Sequence, residues 1–135
     1  FQYQNKSFTV VNFHAITQSK LPETEIKYFK FLPAEYPDLN LLFVGDFNCP
    51  QSHTVFNPLK TLGYAHVFDN QKTTLKTKCQ GTDCLANPFD NIFYHTKKIA
   101  VVEQGVFAFF NQFESLESAR KVSDHLPIWF TFQLL

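Results

Sequence analysis

The sequence predicts an α/β domain built on a mixed β-sheet flanked by helices. Three observations carry that expectation. Leu41–Val44 is a short apolar run that stops at Gly45 and bears Asp46 and Asn48 just beyond its end. A run of this kind, bounded by turn formers, reads as a core strand covered on both faces. Strand-like and helix-like stretches alternate through the first half, and hairpin-like strands follow. The chain then closes on P-I-W-F-T-F-Q-L, Pro127–Leu134, too apolar to face water on one side.

Taken in order, Phe1–Lys6 is polar and predicts no element. Ser7–His14 is rich in β-branched and aromatic residues and reads as a strand carrying Asn12 and His14 near its end. Thr17–Pro22 is a loop. A helix is expected from Pro22 or Thr24, with Glu23 and Glu25 at its positive end and Ile26, Phe29 and Leu32 or Pro33 facing the core. Pro37 and Asp38 end it before the Leu41 strand. A second helix is expected from Ser52 or Thr54 to Leu62, closed by Gly63, and Pro58 allows a start as late as Asn57.

Tyr64–Phe68 is a short apolar piece of open type, and Lys72–Cys84 reads as an exposed, solvated loop. Asn91–His95 is expected as a strand, and Ile99–Phe107 as another, interrupted at Gly105. Phe109–Lys121 has helical spacing at its centre, with Leu116 and Ala119 on one side.

Composition bounds the function. The 135 residues suffice for one domain or part of one. Seventeen phenylalanines demand a core or an interface. A formal net charge of zero gives no basic footprint for a simple nucleic-acid-binding module. It leaves room for an enzyme whose metal ions screen phosphate charge. No apolar run approaches the ~20 residues of a membrane span. The chain opens at Phe1 and has no methionine, so an incomplete translation product is expected. Cys49, Cys79 and Cys84 form no C-x-x-C pair, which argues against structural zinc. One disulfide would take any of three pairings, and secretion is one option for the compartment.

Chemistry-bearing residues gather at the ends of apolar runs. Asn12 and His14 close the first strand, Asp46 and Asn48 follow the second, Asp90 and Asn91 open the N-I-F-Y strand, and Ser123, Asp124 and His125 precede P-I-W-F. In open α/β sheets, ligands collect at such ends. Converged, these residues suit phosphate ester hydrolysis, which needs a cation, a base for water and donors for the developing oxyanion. Carboxylate and amide oxygens fit Mg²⁺ or Ca²⁺. There is no H-E-x-x-H, no G-x-S-x-G and no phosphate loop of the G-x-x-x-x-G-K-[ST] kind. His53, His66 and His95 have no such company and read as structural.

In this order V-V-N-F-H, V-G-D-F-N, F-D-N-I-F-Y and S-D-H-L-P resemble the endonuclease/exonuclease/phosphatase superfamily, which includes deoxyribonuclease I-like nucleases. The resemblance spans Phe8 to the final strand. It implies that His14 and His125 are the two catalytic histidines, and that Asp46 and Asn48 position water and phosphate. It further implies that Asp90 bonds His125, that Asp124 and Asp46 serve the metal, and that Asn12 and Asn48 meet the substrate phosphate. Mg²⁺ is the implied cofactor, with Ca²⁺ or Mn²⁺ as alternatives.

The family fold is a four-layered α/β sandwich of two similar halves. Residues 1–135 match its C-terminal part, without the N-terminal half and its metal-binding glutamate. The resemblance thus implies a partner in that half, slow turnover by this chain alone, and a bare, phenylalanine-rich sheet face able to form a homodimer. The implied activity is metal-dependent phosphodiester hydrolysis on DNA or RNA. An inositol-phosphate or phospholipid phosphatase is the alternative within the superfamily. A catalytically silent binding fragment is the alternative outside enzymology, and it would have lost one of the motif residues that are all present here.

Overall fold

The structure is a computed structural model and describes residues 1–135. Its strands, in chain order, are β1 (Gln2–Tyr3), β2 (Lys6–Ser7), β3 (Thr9–His14), β4 (Leu41–Asp46), β5 (Tyr64–His66), β6 (Leu75–Gln80), β7 (Asp83–Leu85), β8 (Asp90–His95), β9 (Ile99–Val106) and β10 (Ile128–Leu134). Four short helices accompany them: α1 (Glu23–Ile26), α2 (Leu32–Glu35), α3 (Asn57–Thr61) and α4 (Leu116–Arg120). The expected α/β class with a mixed sheet is what forms. No helix is long and apolar enough to cross a membrane.

The central sheet runs β3-β4-β8-β5, with β3 parallel to β4 and the other pairs antiparallel. Side chains alternate across it, so odd-numbered residues of β4 face one way and even-numbered ones the other. Leu41, Phe43 and Phe93 pack with Ile26, Phe29, Phe47, Phe56 and Leu59 under the helical turns. Leu42 and Ile92 pack on the opposite side against Ile99, Val101, Phe130, Phe132 and Leu134 of the β9–β10 pair. Three layers result: short helices, sheet, hairpin. A smaller core of Leu75, Phe109, Ala119 and Leu126 lies under α4.

The β9–β10 layer corrects the expectation of a bare sheet face. Phe130 and Phe132 of the closing strand, read from the sequence as too apolar to face water, are half-buried between the layers. At the β3 edge Val10 stays 37 % exposed, and Trp129 and Val102 lie on the outer side of the hairpin. The apolar area available for self-association is correspondingly narrower.

Other differences have local causes. Gly105 does not interrupt β9, because the missing side chain leaves space for the Trp129 ring, which a Cβ would meet at 2.7 Å. Phe109–Lys121 is not one helix. A 3-10 turn at Phe109–Gln112 ends at an extended Phe113, and α4 starts afresh where the Ser115 hydroxyl accepts from the Ser118 N–H. The first expected helix breaks into α1, a 3-10 turn at Phe29–Phe31 and α2. The second begins at Asn57, as Pro58 requires.

Lys72–Cys84 is the largest correction. It is no solvated loop but the β6–β7 hairpin, closed by a Cys79–Cys84 disulfide and turning at Gly81. Cys49 is a buried free thiol, pushed up to about 11 chiefly by burial. Thr73, Thr74 and Leu75, at the hairpin's base, are buried.

Gly45 governs how closely β3 and β4 approach. Its φ is +141°, and a Cβ there would sit 1.8 Å from the Phe13 carbonyl oxygen. Gly45→Ala is therefore expected to cost about 3 kcal/mol or more of unfolding free energy, from strain and forced strand separation. Urea denaturation measures it; a loss within about 0.5 kcal/mol contradicts this account of the close approach.

Candidate active site

Register brings the site together. His14 on β3 is the pairing partner of Asp46 on β4, and Asp46 is the partner of Asp90 on β8. Pairing partners share a face, so three titratable side chains from three strands form one row across the sheet. The row lies on the β9–β10 side, beyond the edge of the apolar packing, where strands β3 and β4 end.

His125 arrives from the segment before β10. A bridge between Thr74 and His125 fixes its backbone, with Leu75 N–H donating to the Asp124 carbonyl and Leu126 N–H to that of Thr73. The Ser123 hydroxyl accepts from the His125 N–H and donates to the His125 carbonyl, tightening the turn. The ring then lies with Nδ1 2.8 Å from Asp90 Oδ2 and Nε2 3.7 Å from Asp46 Oδ2. A carboxylate only accepts, so Nδ1 carries the proton and Nε2 faces the cleft.

Asp46 is held from below. Its Oδ1 accepts from the Asn48 N–H at 2.8 Å, and Oδ2 accepts from Asn48 Nδ2 at 3.2 Å. Asn48 sits at φ +47° and also donates Nδ2 to the Ala15 carbonyl, so both its amide protons are engaged. His14 Nε2 is 3.4 Å from Asp46 Oδ2, with a side chain 78 % exposed. Asn12 is exposed on β3 two residues before His14, hence on the same face.

Of the residues expected at the site, His14, Asp46, Asn48, Asp90 and His125 are brought together and Asn12 flanks them. Asp124 stands outside. Asp124 lies in the bend before His125 and turns toward Arg120, 3.6 Å away, with its side chain 59 % exposed. Asn91 is structural: its side chain clamps the N–H and carbonyl of Phe68. Sequence reasoning missed Thr73, whose hydroxyl bonds Asp90. The β-branched Thr73-Thr74 pair next to alternating Leu75-Lys76-Thr77-Lys78 was the available signal.

Charge is unbalanced here. Burial, together with the neighbouring Asp90 charge, raises the Asp46 carboxyl above its ordinary 3.8, against the bond from Asn48 and the pull of the two histidines. The His125 imidazole is raised above 6.5, first by its bond to Asp90 and then by the charges of Asp90, Asp46 and Asp124, against burial. Ligand atoms of Asp46, Asp90 and His125 lie within 4.8 Å of one another. With one Asp90 oxygen committed to His125, the open donors are carboxylate oxygens, hard ligands of the kind Mg²⁺ takes with substrate phosphate and water. The donor set fits such an ion.

The raised His125 binds its proton more tightly folded than unfolded. Its contribution to stability is full below about pH 6.5 and is lost as pH rises through the folded value. His66 and His95, lowered mainly by burial, act in the opposite sense and are common to any variant of His125. In chelator, the stability difference between the wild-type chain and His125→Gln should therefore shrink between pH 6 and pH 8. Urea midpoints report it, and a constant difference contradicts the assigned bond.

No family model matches the chain. It is 31 % identical over 147 residues to deoxyribonuclease gamma of Rattus norvegicus, an alignment covering 95 % of this chain and 44 % of that protein. Among solved structures, D. rerio TDP2 complexed with single strand DNA product superposes with a TM-score of 0.64 at 18 % identity, over 98 % of this chain and 58 % of that one. An endonuclease/exonuclease/phosphatase family protein from Bacteroides thetaiotaomicron gives 0.62 at 17 % identity, over 95 % and 49 %. The chain thus spans about half the length of the proteins it matches.

Proposed function

We propose, for a chain that has the fold of the endonuclease/exonuclease/phosphatase superfamily and carries its sequence motifs, that its activity is hydrolysis of phosphodiesters in nucleic acid. The observation that carries this reading is the His14–Asp46–Asp90 row with His125 bonded to Asp90. The likeness to a deoxyribonuclease, and to a protein whose structure holds a single-stranded DNA product, supports nucleic acid as the substrate class.

A divalent cation, Mg²⁺ by the hardness of the donors, would be held by Asp46 and by the Asp90 oxygen not bonded to His125. It would supply charge neutralisation on the phosphate. The chain's own residues do the rest. Asp46, its pKa raised, accepts the proton of the attacking water, whose oxygen bonds to phosphorus as the bond to the leaving oxygen breaks. Asn48 holds Asp46 in place. The His125 imidazole, held at Nδ1 by Asp90 and raised above its ordinary value, takes a second proton from solvent and as the imidazolium presents Nε2–H to a non-bridging oxygen, where charge grows in the transition state. Asn12 and His14, on the open side, meet the substrate phosphate and its flank, and the leaving oxygen takes a proton from solvent there.

Phosphate oxygens and water would complete the ion's shell. We further propose that a half of the fold not matched by residues 1–135 adds the glutamate that the family resemblance implies, in keeping with the half-length match to relatives. The Cys79–Cys84 disulfide favours an oxidising compartment for the enzyme.

Plasmid nicking and cleavage of bis(p-nitrophenyl) phosphate, each with Mg²⁺, Ca²⁺, Mn²⁺ or chelator, test the reading. This chain should cleave slowly in Mg²⁺ and not in chelator, and a chain extended by the rest of the fold should cleave faster. Asp46→Asn and His125→Ala should each lower kcat by about 100-fold or more. Cleavage that survives chelator, or variants as active as the wild type, overturn the proposal.

A further inference from the structure

We propose that Thr73 is the positioning residue of this site, fixing the Asp90 carboxylate and, through it, the orientation and tautomer of His125. The inference deepens the reading of Asp90 and His125 as partners in hydrolysis and rests on it. Thr73 is fully buried, and its hydroxyl makes two bonds to one residue. It donates to Asp90 Oδ2 at 2.5 Å and accepts from the Asp90 N–H at 3.0 Å. The oxygen it bonds is the one that accepts from His125 Nδ1 at 2.8 Å.

One carboxylate oxygen is thus fixed by two donors from different segments. A carboxylate turns freely about its last torsion unless its lone pairs are assigned. Here Thr73 assigns one and His125 the other, which leaves the second Asp90 oxygen free toward the cleft. Without the hydroxyl, Oδ2 loses a partner, Asp90 rotates, and the imidazole loses the acceptor that defines its tautomer.

The Thr73 backbone is held as firmly. Its N–H donates to the Asn87 carbonyl and its carbonyl accepts from the Leu126 N–H, both at 2.8 Å. Arg120 donates to the Leu75 carbonyl at 2.6 Å. The base of the β6–β7 hairpin therefore straps the segment carrying Asp90 to the one carrying His125. A purely structural Thr73 would serve by satisfying the Asp90 N–H alone. A positioning Thr73 must also set the state of His125.

Imidazole nitrogen NMR on this chain, with hydrolysis of bis(p-nitrophenyl) phosphate in Mg²⁺ alongside, separates the two. Thr73→Val and Thr73→Ala should abolish the defined Nδ1–H tautomer of His125. They should lower kcat about tenfold or more with KM changed by no more than about twofold. Thr73→Ser keeps the hydroxyl and should retain the tautomer and most of kcat. In the wild type, the Thr73 hydroxyl proton should show a nuclear Overhauser contact with the His125 Nδ1 proton, a readout that needs no variant to fold. Absence of that contact, a His125 spectrum unchanged in a folded Val or Ala variant, or a Ser variant as impaired as Ala overturns the proposal. If the wild type hydrolyses nothing, the functional reading fails while the imidazole spectra still decide the role of Thr73.

Discussion

The register of β3, β4 and β8 is the constraint on which the rest depends. His14, Asp46 and Asp90 are neighbours only because Thr9 pairs with Leu41 and Phe43 with Phe93. A slip of one residue would turn each of these side chains to the opposite face and break the row. The apolar residues behind the site enforce the pairing. Phe43 and Phe93 are fully buried on one face, and Leu42 and Ile92 nearly so on the other. The glycine in β4 then lets the strands close together at the point where chemistry begins. Core packing and site geometry are one arrangement seen from two ends of the same strands.

On that frame, the polar residues divide the work between holding and acting. Asp90 is satisfied by His125 and by Thr73, and Asp46 by Asn48, yet two carboxylates remain close together and partly buried. Hydrogen bonds cannot remove that charge, and the raised Asp46 records the cost. On the proposed reading, a cation held between the two carboxylates would relieve it and would meet the charge of the substrate phosphate. His14, the most exposed member, marks the side from which the substrate would enter.

Much of this was legible in the sequence, for a physical reason. A buried strand that ends in a polar pair announces both its own extent and the site beyond it, and Leu41–Asp46 with Asn48, Asp90–His95 and the segment before Ile128 all have that form. What stayed hidden depends on contacts distant in sequence. Thr73 lies in a Lys- and Thr-rich stretch whose pattern resembles a solvated loop, and its value appears only when Asp90 folds against it, 17 residues on. Asp124 and His125 look like a unit, but the bend at Asp124 turns its carboxylate to Arg120 while His125 bonds Asp90. The cysteine pairing was undetermined until the hairpin brought Cys79 and Cys84 together. Helix lengths were overestimated because Pro33, Pro58 and the Ser115 cap cut the apolar periodicity into single turns.

The central claim is that three strand ends and the His125 segment make one cation- and phosphate-binding centre. Mn²⁺ titration followed by paramagnetic broadening of backbone amides in the 135-residue chain tests it most directly. The account predicts that amides of Asp46–Asn48, Phe89–Asn91 and Asp124–Leu126 broaden first and together, and that Asp46→Asn abolishes the effect. Broadening that begins instead at the surface acids Glu35, Asp38 or Glu117, and is indifferent to Asp46→Asn, would contradict it.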